Sequence, residues 1–130
     1  MIERNTTAGI LIKDGHVFVA KRVKGGALSE MWEFPGGKNR YGETLEETLK
    51  REYIEELSIS IAVKEEICQT EFINKDTHYT LHAFLIESDE ENIALSVHTN
   101  YMLADKETLL SLPMGQSDSV IRDYVALNLL

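Results

Sequence analysis

Apolar residues along the chain change their spacing several times, and each change marks an element. Ala8-Gly9-Ile10-Leu11-Ile12 and His16-Val17-Phe18-Val19-Ala20 are short, mostly apolar runs around Asp14-Gly15, a strong hairpin signal, so Thr7 to Arg22 reads as two strands and a turn. Gly25-Gly26 opens a loop, and the apolar patch Met31 to Phe34 stops at Pro35-Gly36-Gly37. The spacing then turns helical at Leu45, Leu49, Tyr53 and Leu57, with Thr44 and Glu47 placed as a capping box at the start. Strands are expected at Ile59 to Val63 and Ile67 to Phe72, and a central one at His78 to Ile86, closed by the solvated acidic turn Glu87 to Glu91. A further strand at Ile93 to His98, a short helix at Asp105 to Leu110 and a terminal helix at Ser117 to Leu127 complete the pattern. Interleaved strands and helices predict an α/β or α+β domain around a mixed sheet.

Length and charge bound this picture. The 130 residues amount to one domain, residues 1–130, with no repeat or linker. No run of about 18 apolar residues occurs, so no membrane span is expected. The N-terminus, with acid and base in its first four residues, does not read as a secretory signal. Cys68 is the lone cysteine, which excludes an intramolecular disulfide and points to a reducing cytoplasm; it reads as a small buried hydrophobe. A net charge of −9 disfavours polymeric nucleic acid as a partner. That acidity is uneven, however. Residues 43–56 hold six glutamates against Lys50 and Arg51, a net −4.

On the expected helix, Glu52, Glu55 and Glu56 stand at spacings of three, four and one, within an arc of about 100°. They flank the apolar seam of Leu49, Tyr53 and Leu57. Like charges so placed repel by roughly 0.2–0.5 kcal/mol per pair in an isolated helix. A divalent cation reverses that sign, and several carboxylates with phosphate oxygens completing the shell suit Mg²⁺ or Mn²⁺. Bare protein charge is therefore the wrong guide to a small metal-chelated phosphate ligand.

The run Gly37 to Ile59, with Gly37, Glu43, Arg51, Glu52, Tyr53, Glu55, Glu56 and Ile59 at fixed spacing, resembles the Nudix hydrolase box. Trp32-Glu33-Phe34-Pro35-Gly36-Gly37-Lys38 resembles the segment that enters it in the MutT-like and CTP-pyrophosphohydrolase-like branch. The resemblance implies a Nudix fold, an α/β/α sandwich around a mixed sheet. It implies Mg²⁺-dependent hydrolysis of a nucleoside triphosphate to monophosphate and pyrophosphate, with oxidised guanine or cytidine nucleotides as the nearest analogy. It places Glu52, Glu55, Glu56 and the Gly37 carbonyl at the metals, and Glu52 also as the base that activates water. Arg51 and Glu43 fall where ion pairing orients those carboxylates, and Arg22 falls where this branch contacts substrate phosphates. The expected assembly is a monomer or homodimer with a small nucleotide substrate. The alternatives are a hydrolase of another nucleoside-diphosphate derivative and a non-catalytic nucleotide-sensing module; the markers of the ADP-ribose, NADH and coenzyme A branches are absent from their usual places.

Departures and open alternatives accompany the resemblance. Ser58 replaces a helix-ending Gly, and Tyr53 a small aliphatic residue. Val97 stands where MutT-like enzymes often place another metal-binding Glu, with His98 or Asp76 as compensating candidates, and Thr77 where one such pocket has an Arg. Trp32 and Phe34 either stack on a base or belong to the core; Lys38 either contacts phosphate or is solvated. Asp118 either reads the base or caps the final helix. His78 and His82 share a strand face, either as a metal pair or as sheet-face packing or polar lining of the base pocket.

Overall fold

A computed structural model describes residues 1–130. Its elements run β1 (Ile2–Lys13), β2 (His16–Arg22), β3 (Trp32–Glu33), α1 (Leu45–Leu57), β4 (Ala62–Asn74), β5 (Thr77–Glu87), β6 (His98–Ala104), α2 (Lys106–Ser111) and α3 (Gln116–Asn128). Asp14 and Gly15 both take positive φ, 50° and 74°, and turn the chain between β1 and β2. That double left-handed turn matches the twist of the strands it joins. β1 pairs parallel with β5 from Ile2 opposite Thr77 to Leu11 opposite Ile86, and β5 pairs antiparallel with β4. β2 separates from β1 after the hairpin and pairs with both β3 and β6. The mixed sheet is as expected, and β5 lies inside it.

β1 is apolar at consecutive positions because both its faces are covered. Ala8 and Ile10 pack with Val17, Val19, Leu81 and Ala83 beneath α2 and α3, which contribute Leu109, Ile121 and Val125. Leu11 packs on the opposite side with Leu49, Tyr53 and Leu57 of α1. The result is the α/β/α sandwich. Burial of a large apolar side chain contributes roughly 1.5–3 kcal/mol, which fixes α1 by its seam and leaves its other face free for polar work. Tyr53, fully buried, donates its hydroxyl to the Gly9 carbonyl at 3.2 Å. A Cβ on Gly9 would run into the Tyr53 ring, so the larger residue on the helix is accommodated by the smallest one on the strand.

Both ends of α1 follow from sequence. Thr44 accepts the Glu47 N–H at 3.1 Å while the Glu47 carboxylate accepts the Thr44 N–H at 2.9 Å. Ser58 adopts the left-handed conformation (φ 59°, ψ 34°) expected of the Gly it replaces.

Three boundaries differ from expectation. The strands expected at Ile59 to Val63 and Ile67 to Phe72 are one strand, β4, interrupted by register shifts near Glu66 rather than by a turn. No strand forms at Ile93 to Val97. Ile93 and Leu95 instead pack beside α1, while the N–H groups of Ala94 and Ser96 bond the Leu57 and Glu56 carbonyls at 3.0 and 3.2 Å. Alternating apolar residues thus cover a helix end whose orphan carbonyls need donors, and the strand begins only at His98. Finally, Gly115 is the N-cap of α3, so Asp118 lies within its first turn and is no N-cap.

Candidate active site

The entry loop brings Gly36 and Gly37 against β1. The Thr7 N–H and hydroxyl both bond the Gly37 carbonyl at 2.9 Å, and the Gly37 N–H returns to the Thr7 hydroxyl at 3.3 Å. A Cβ at Gly36 would strike the Thr7 carbonyl, and one at Gly37 the Glu52 carboxylate. Both glycines are therefore needed for close approach, not only for turning. The Gly37 carbonyl itself is spoken for by Thr7, so the oxygens free to meet a cation here are those of the glutamates.

Arg51 organises the outer side of α1. Its Nε and Nη2 donate to the two Glu43 oxygens at 2.6 and 3.0 Å, and Nη1 donates to Glu52 at 2.8 Å and Glu55 at 3.2 Å. Nη2 also reaches the Lys38 carbonyl at 3.2 Å. Glu43 further accepts the Arg40 N–H and the Thr48 hydroxyl, each at 3.0 Å, and Asn39 donates to Thr48 at 2.8 Å. The Arg51 bonds pull the Glu43 carboxyl down from its ordinary value to about 2, and Glu43 in turn raises the Arg51 guanidinium. Thr48 and Asn39 belong to this network although nothing in their types marked them.

The inner side is different. Glu56 is buried, with one carboxylate oxygen lacking any partner, and its carboxyl is pushed up to about 9 by burial, by hydrogen bonding with Glu52 and by the Glu33 charge. His98 Nε2 lies 2.9 Å from Glu33 Oε2 and 3.8 Å from Glu56 Oε1, while Nδ1 is also unpartnered. Arg22 approaches both Glu33 oxygens, at 3.4 and 3.5 Å. Glu33, Glu56 and His98 each place one potential metal-ligating atom within 4.8 Å of the others. A buried carboxylate oxygen without a donor, beside two further carboxylates on one helix face, fits a divalent cation.

Two cavities meet at this point. One, of about 320 Å³, is lined by Arg22, Gly37, Glu52, Glu55, Glu56 and Val97. The other, of about 220 Å³, includes Arg22, Phe34, Lys38, Leu81, Ser117 and Asp118. Arg22, Gly36 and Gly37 border both. The Asp118 carboxylate accepts the Phe34 N–H at 3.5 Å, and burial together with the Glu33 charge raises it to about 7. Phe34 is buried in the core beneath this cavity, and Trp32 packs on the same core from its edge. Lys38 is exposed, with its ammonium 5.3 Å from the Tyr79 ring.

Other candidates go elsewhere. Asp76 sits in the β4–β5 turn, where its carbonyl accepts the Ile2 N–H, and Thr77 begins β5; neither borders the two cavities. His78 pairs with Glu3 and Glu71 at 2.6 and 3.1 Å, and His82 with Glu66 and Asn5 at 3.1 and 2.8 Å, so each histidine has its own polar partners on the sheet. Cys68 is half-buried against the core, and burial raises its thiol. Glu33 has no periodic signature, as a charge between Trp32 and Phe34 in a two-residue strand; its signals are those flanking aromatics and its place in the entry segment Trp32 to Lys38.

The NUDIX domain family model matches residues 3–109. The chain belongs to the NUDIX family. It is 30% identical over 120 residues to the CTP pyrophosphohydrolase of Escherichia coli K12, covering 91% of this chain and 86% of that protein. It is 40% identical over 57 residues to the 8-oxo-dGTP diphosphatase of Buchnera aphidicola subsp. Schizaphis graminum, covering 44% of each. That matched segment is thus less than half the length of the Buchnera relative. Among solved structures, the solution structure of the E. coli ORF135 protein superposes with a TM-score of 0.85 at 25% identity, over 99% of this chain and 93% of that one. No helix in this NUDIX protein is long and apolar enough to cross a membrane.

Proposed function

We propose that the chain is a divalent-metal-dependent pyrophosphohydrolase, converting a nucleoside triphosphate and water to a nucleoside monophosphate and pyrophosphate. The observation that carries this reading is that two cavities meet at Arg22, Gly36 and Gly37, one walled by Glu52, Glu55 and Glu56 and the other by Phe34, Leu81 and Asp118. A ligand spanning them would have phosphates at one end and a base at the other. The relatives named as 8-oxo-dGTP diphosphatase and CTP pyrophosphohydrolase support the same class of substrate.

In this reading Glu52, Glu55 and Glu56 hold Mg²⁺, or Mn²⁺ in its place, and the Gly37 carbonyl joins them if the Thr7 hydroxyl releases it. Bound there, such a cation would neutralise phosphate oxygens and acidify water. Glu52, held at 2.8 Å by Arg51, is the base that takes a proton from the attacking water, a role worth roughly 10²–10⁴-fold. Glu43 fixes Arg51 and does not touch substrate. Arg22 and Lys38 bring positive charge to the phosphate chain, and Phe34 forms an apolar wall for the base. Asp118, held near neutrality between its two protonation states, offers a base edge either a donor or an acceptor. That suits an oxidised or otherwise modified purine as well as a cytidine nucleotide. Location in the cytoplasm agrees with the lone cysteine.

Pyrophosphate release from a panel of ribo- and deoxynucleoside triphosphates, 8-oxo-dGTP included, tests the reading with Mg²⁺ and with chelator. Turnover that requires the metal and collapses in Glu52→Gln, with nucleotide affinity retained, is the expected result. Tight binding with no turnover on any member would instead establish a sensor.

A further inference from the structure

His98 is connected to the phosphate end of the site by a path that involves no metal. Its side chain has no solvent exposure, its Nε2 lies 2.9 Å from Glu33, and its Nδ1 has no partner. A buried N–H without an acceptor is a costlier omission than an unused ring lone pair, because the donor forfeits the bond it makes in water. The proton therefore belongs on Nε2, which donates to Glu33. Were Nε2 to ligate a cation, the proton would move to Nδ1, where no acceptor stands; metal-bound histidines ordinarily have such an acceptor. The ring is built to hold a carboxylate.

The backbone supports the same connection. β2 and β6 pair in regular register up to Lys21 opposite Asn100, then shift, so that Arg22 stands opposite His98 and Thr99 is skipped. A bulge of this kind re-aims side chains, and it brings Arg22 and His98 into reach of one residue, Glu33, on the neighbouring strand. Arg22 is about one-third exposed and borders both cavities. Left free, a long arginine side chain would lose rotamer entropy on binding a phosphate. Anchored beforehand, it loses less.

We infer that His98 is a positioning residue for the substrate: it fixes Glu33, and Glu33 holds Arg22 in the wall shared by the two cavities, aimed at the phosphate chain. The inference rests on the reading that Arg22 meets those phosphates. Its consequence is a division of labour in which β6 governs substrate affinity through Arg22, while α1 governs the metal and the chemistry.

The test compares wild type with Arg22→Ala, His98→Leu, His98→Gln, Glu33→Gln and the double variant Arg22→Ala/His98→Leu. KM and kcat are measured on the best triphosphate of the panel, and Kd on its non-hydrolysable α,β-methylene analogue; Mn²⁺ affinity and Tm are followed in parallel. Arg22→Ala should raise KM and Kd by roughly 10- to 100-fold, and His98→Leu by about 5- to 20-fold with kcat within about twofold. His98→Gln, whose amide N–H reaches the Nε2 position, should restore most of the affinity, and the double variant should equal Arg22→Ala alone. Mn²⁺ affinity should not change in His98→Leu. If His98→Leu does not fold, Glu33→Gln decides by the same KM criterion. If Arg22→Ala leaves KM and Kd unchanged, the phosphate reading of Arg22 falls and this inference with it. An effect of Arg22→Ala unaccompanied by one of His98→Leu, or additive effects in the double variant, overturns the inference alone. Loss of Mn²⁺ affinity in His98→Leu would make His98 a ligand and overturn it too.

Discussion

Two acidic networks meet at Glu52 of helix α1, assembled from similar residue types on contrary terms. The outer one, Glu43 with Thr48 and Asn39 around Arg51, is nearly saturated: one guanidinium serves three carboxylates and a carbonyl, and Glu43 is held down near pKa 2. The inner one, Glu33 with Glu56 and His98, is buried and unevenly supplied, because Arg22 and His98 both serve Glu33. Glu56 is pushed up to about 9 and keeps an oxygen without any donor. The supply of donors accounts for the difference, since the carboxylates themselves are alike. A saturated carboxylate such as Glu43 has nothing left to bind and is suited to holding geometry. A buried carboxylate left short of donors, as Glu56 is, is costly by itself and is suited to receiving a cation. Glu52 joins the two, bonded to Arg51 on one side and interacting with Glu56 on the other.

The strongest way to break this contrast is at the residue the networks share. Glu52→Gln should lower kcat by about 10²- to 10⁴-fold while Tm stays close to wild type. A variant with wild-type turnover would remove Glu52 from the chemistry. Next, Arg51→Met disturbs only the saturated side; misplacing Glu52 and Glu55 should lower activity or metal affinity by roughly 10- to 100-fold. If Mg²⁺ titration of Arg51→Met matched wild type, the outer network would be ornament.

Acid and base unfolding separate the environments by sign. Glu43, lowered from 4.5 to about 2, contributes stability present above pH 4.5 and lost as pH falls toward 2. Asp118, raised from 3.8 to about 7 by burial and by Glu33, faces Arg22 and Lys38 across its cavity. Its ionised form is the disfavoured one, so its contribution is full below pH 3.8 and is lost as pH rises toward 7. Urea unfolding across pH should show Glu43→Gln flattening the acid limb and Asp118→Asn flattening the limb between about pH 4 and 7. Identical profiles for both variants would contradict the assignment.

Smaller effects are expected outside either network. Ser58→Gly relieves a left-handed conformation at the end of α1 and should stabilise by about 0.5–1 kcal/mol in urea, with unchanged kcat. Glu90→Gln touches only the exposed Ser60 N–H, at 2.9 Å, and should alter neither activity nor metal affinity. A clear loss of Mg²⁺ affinity in Glu90→Gln would mean that the acidic cluster of α1 is not the metal's seat.

Much of the site could be read from the chain because α1 carries it on one face. Helical spacing places Glu52, Glu55 and Glu56 together whatever surrounds them, and the Thr44 cap and Leu49-Tyr53-Leu57 seam fix where the helix starts and which side it buries. Arg51 could be read for the same reason. Glu33 could not, and His98 stood out only as a stand-in for the Glu missing at Val97, because the two meet from a two-residue strand and a strand edge 65 residues apart. The strand expected at Ile93 to His98 failed for a related reason. Its alternating apolar residues are equally suited to packing beside a helix end, and the orphan carbonyls of Glu56 and Leu57 claimed its backbone donors.

Local order in this protein is thus a property of sequence: the Asp14-Gly15 turn, the capped helix, the acid-bearing face and the close-packing glycines all follow from residue type and spacing. The tertiary structure decided which carboxylates obtain a counter-charge. It turned the Gly37 carbonyl onto Thr7, set Arg22 opposite His98 through a bulge, and left Glu56 buried without a donor. Spacing along a chain fixes which groups share a face, whereas burial and partner supply depend on segments that meet only when the sheet closes.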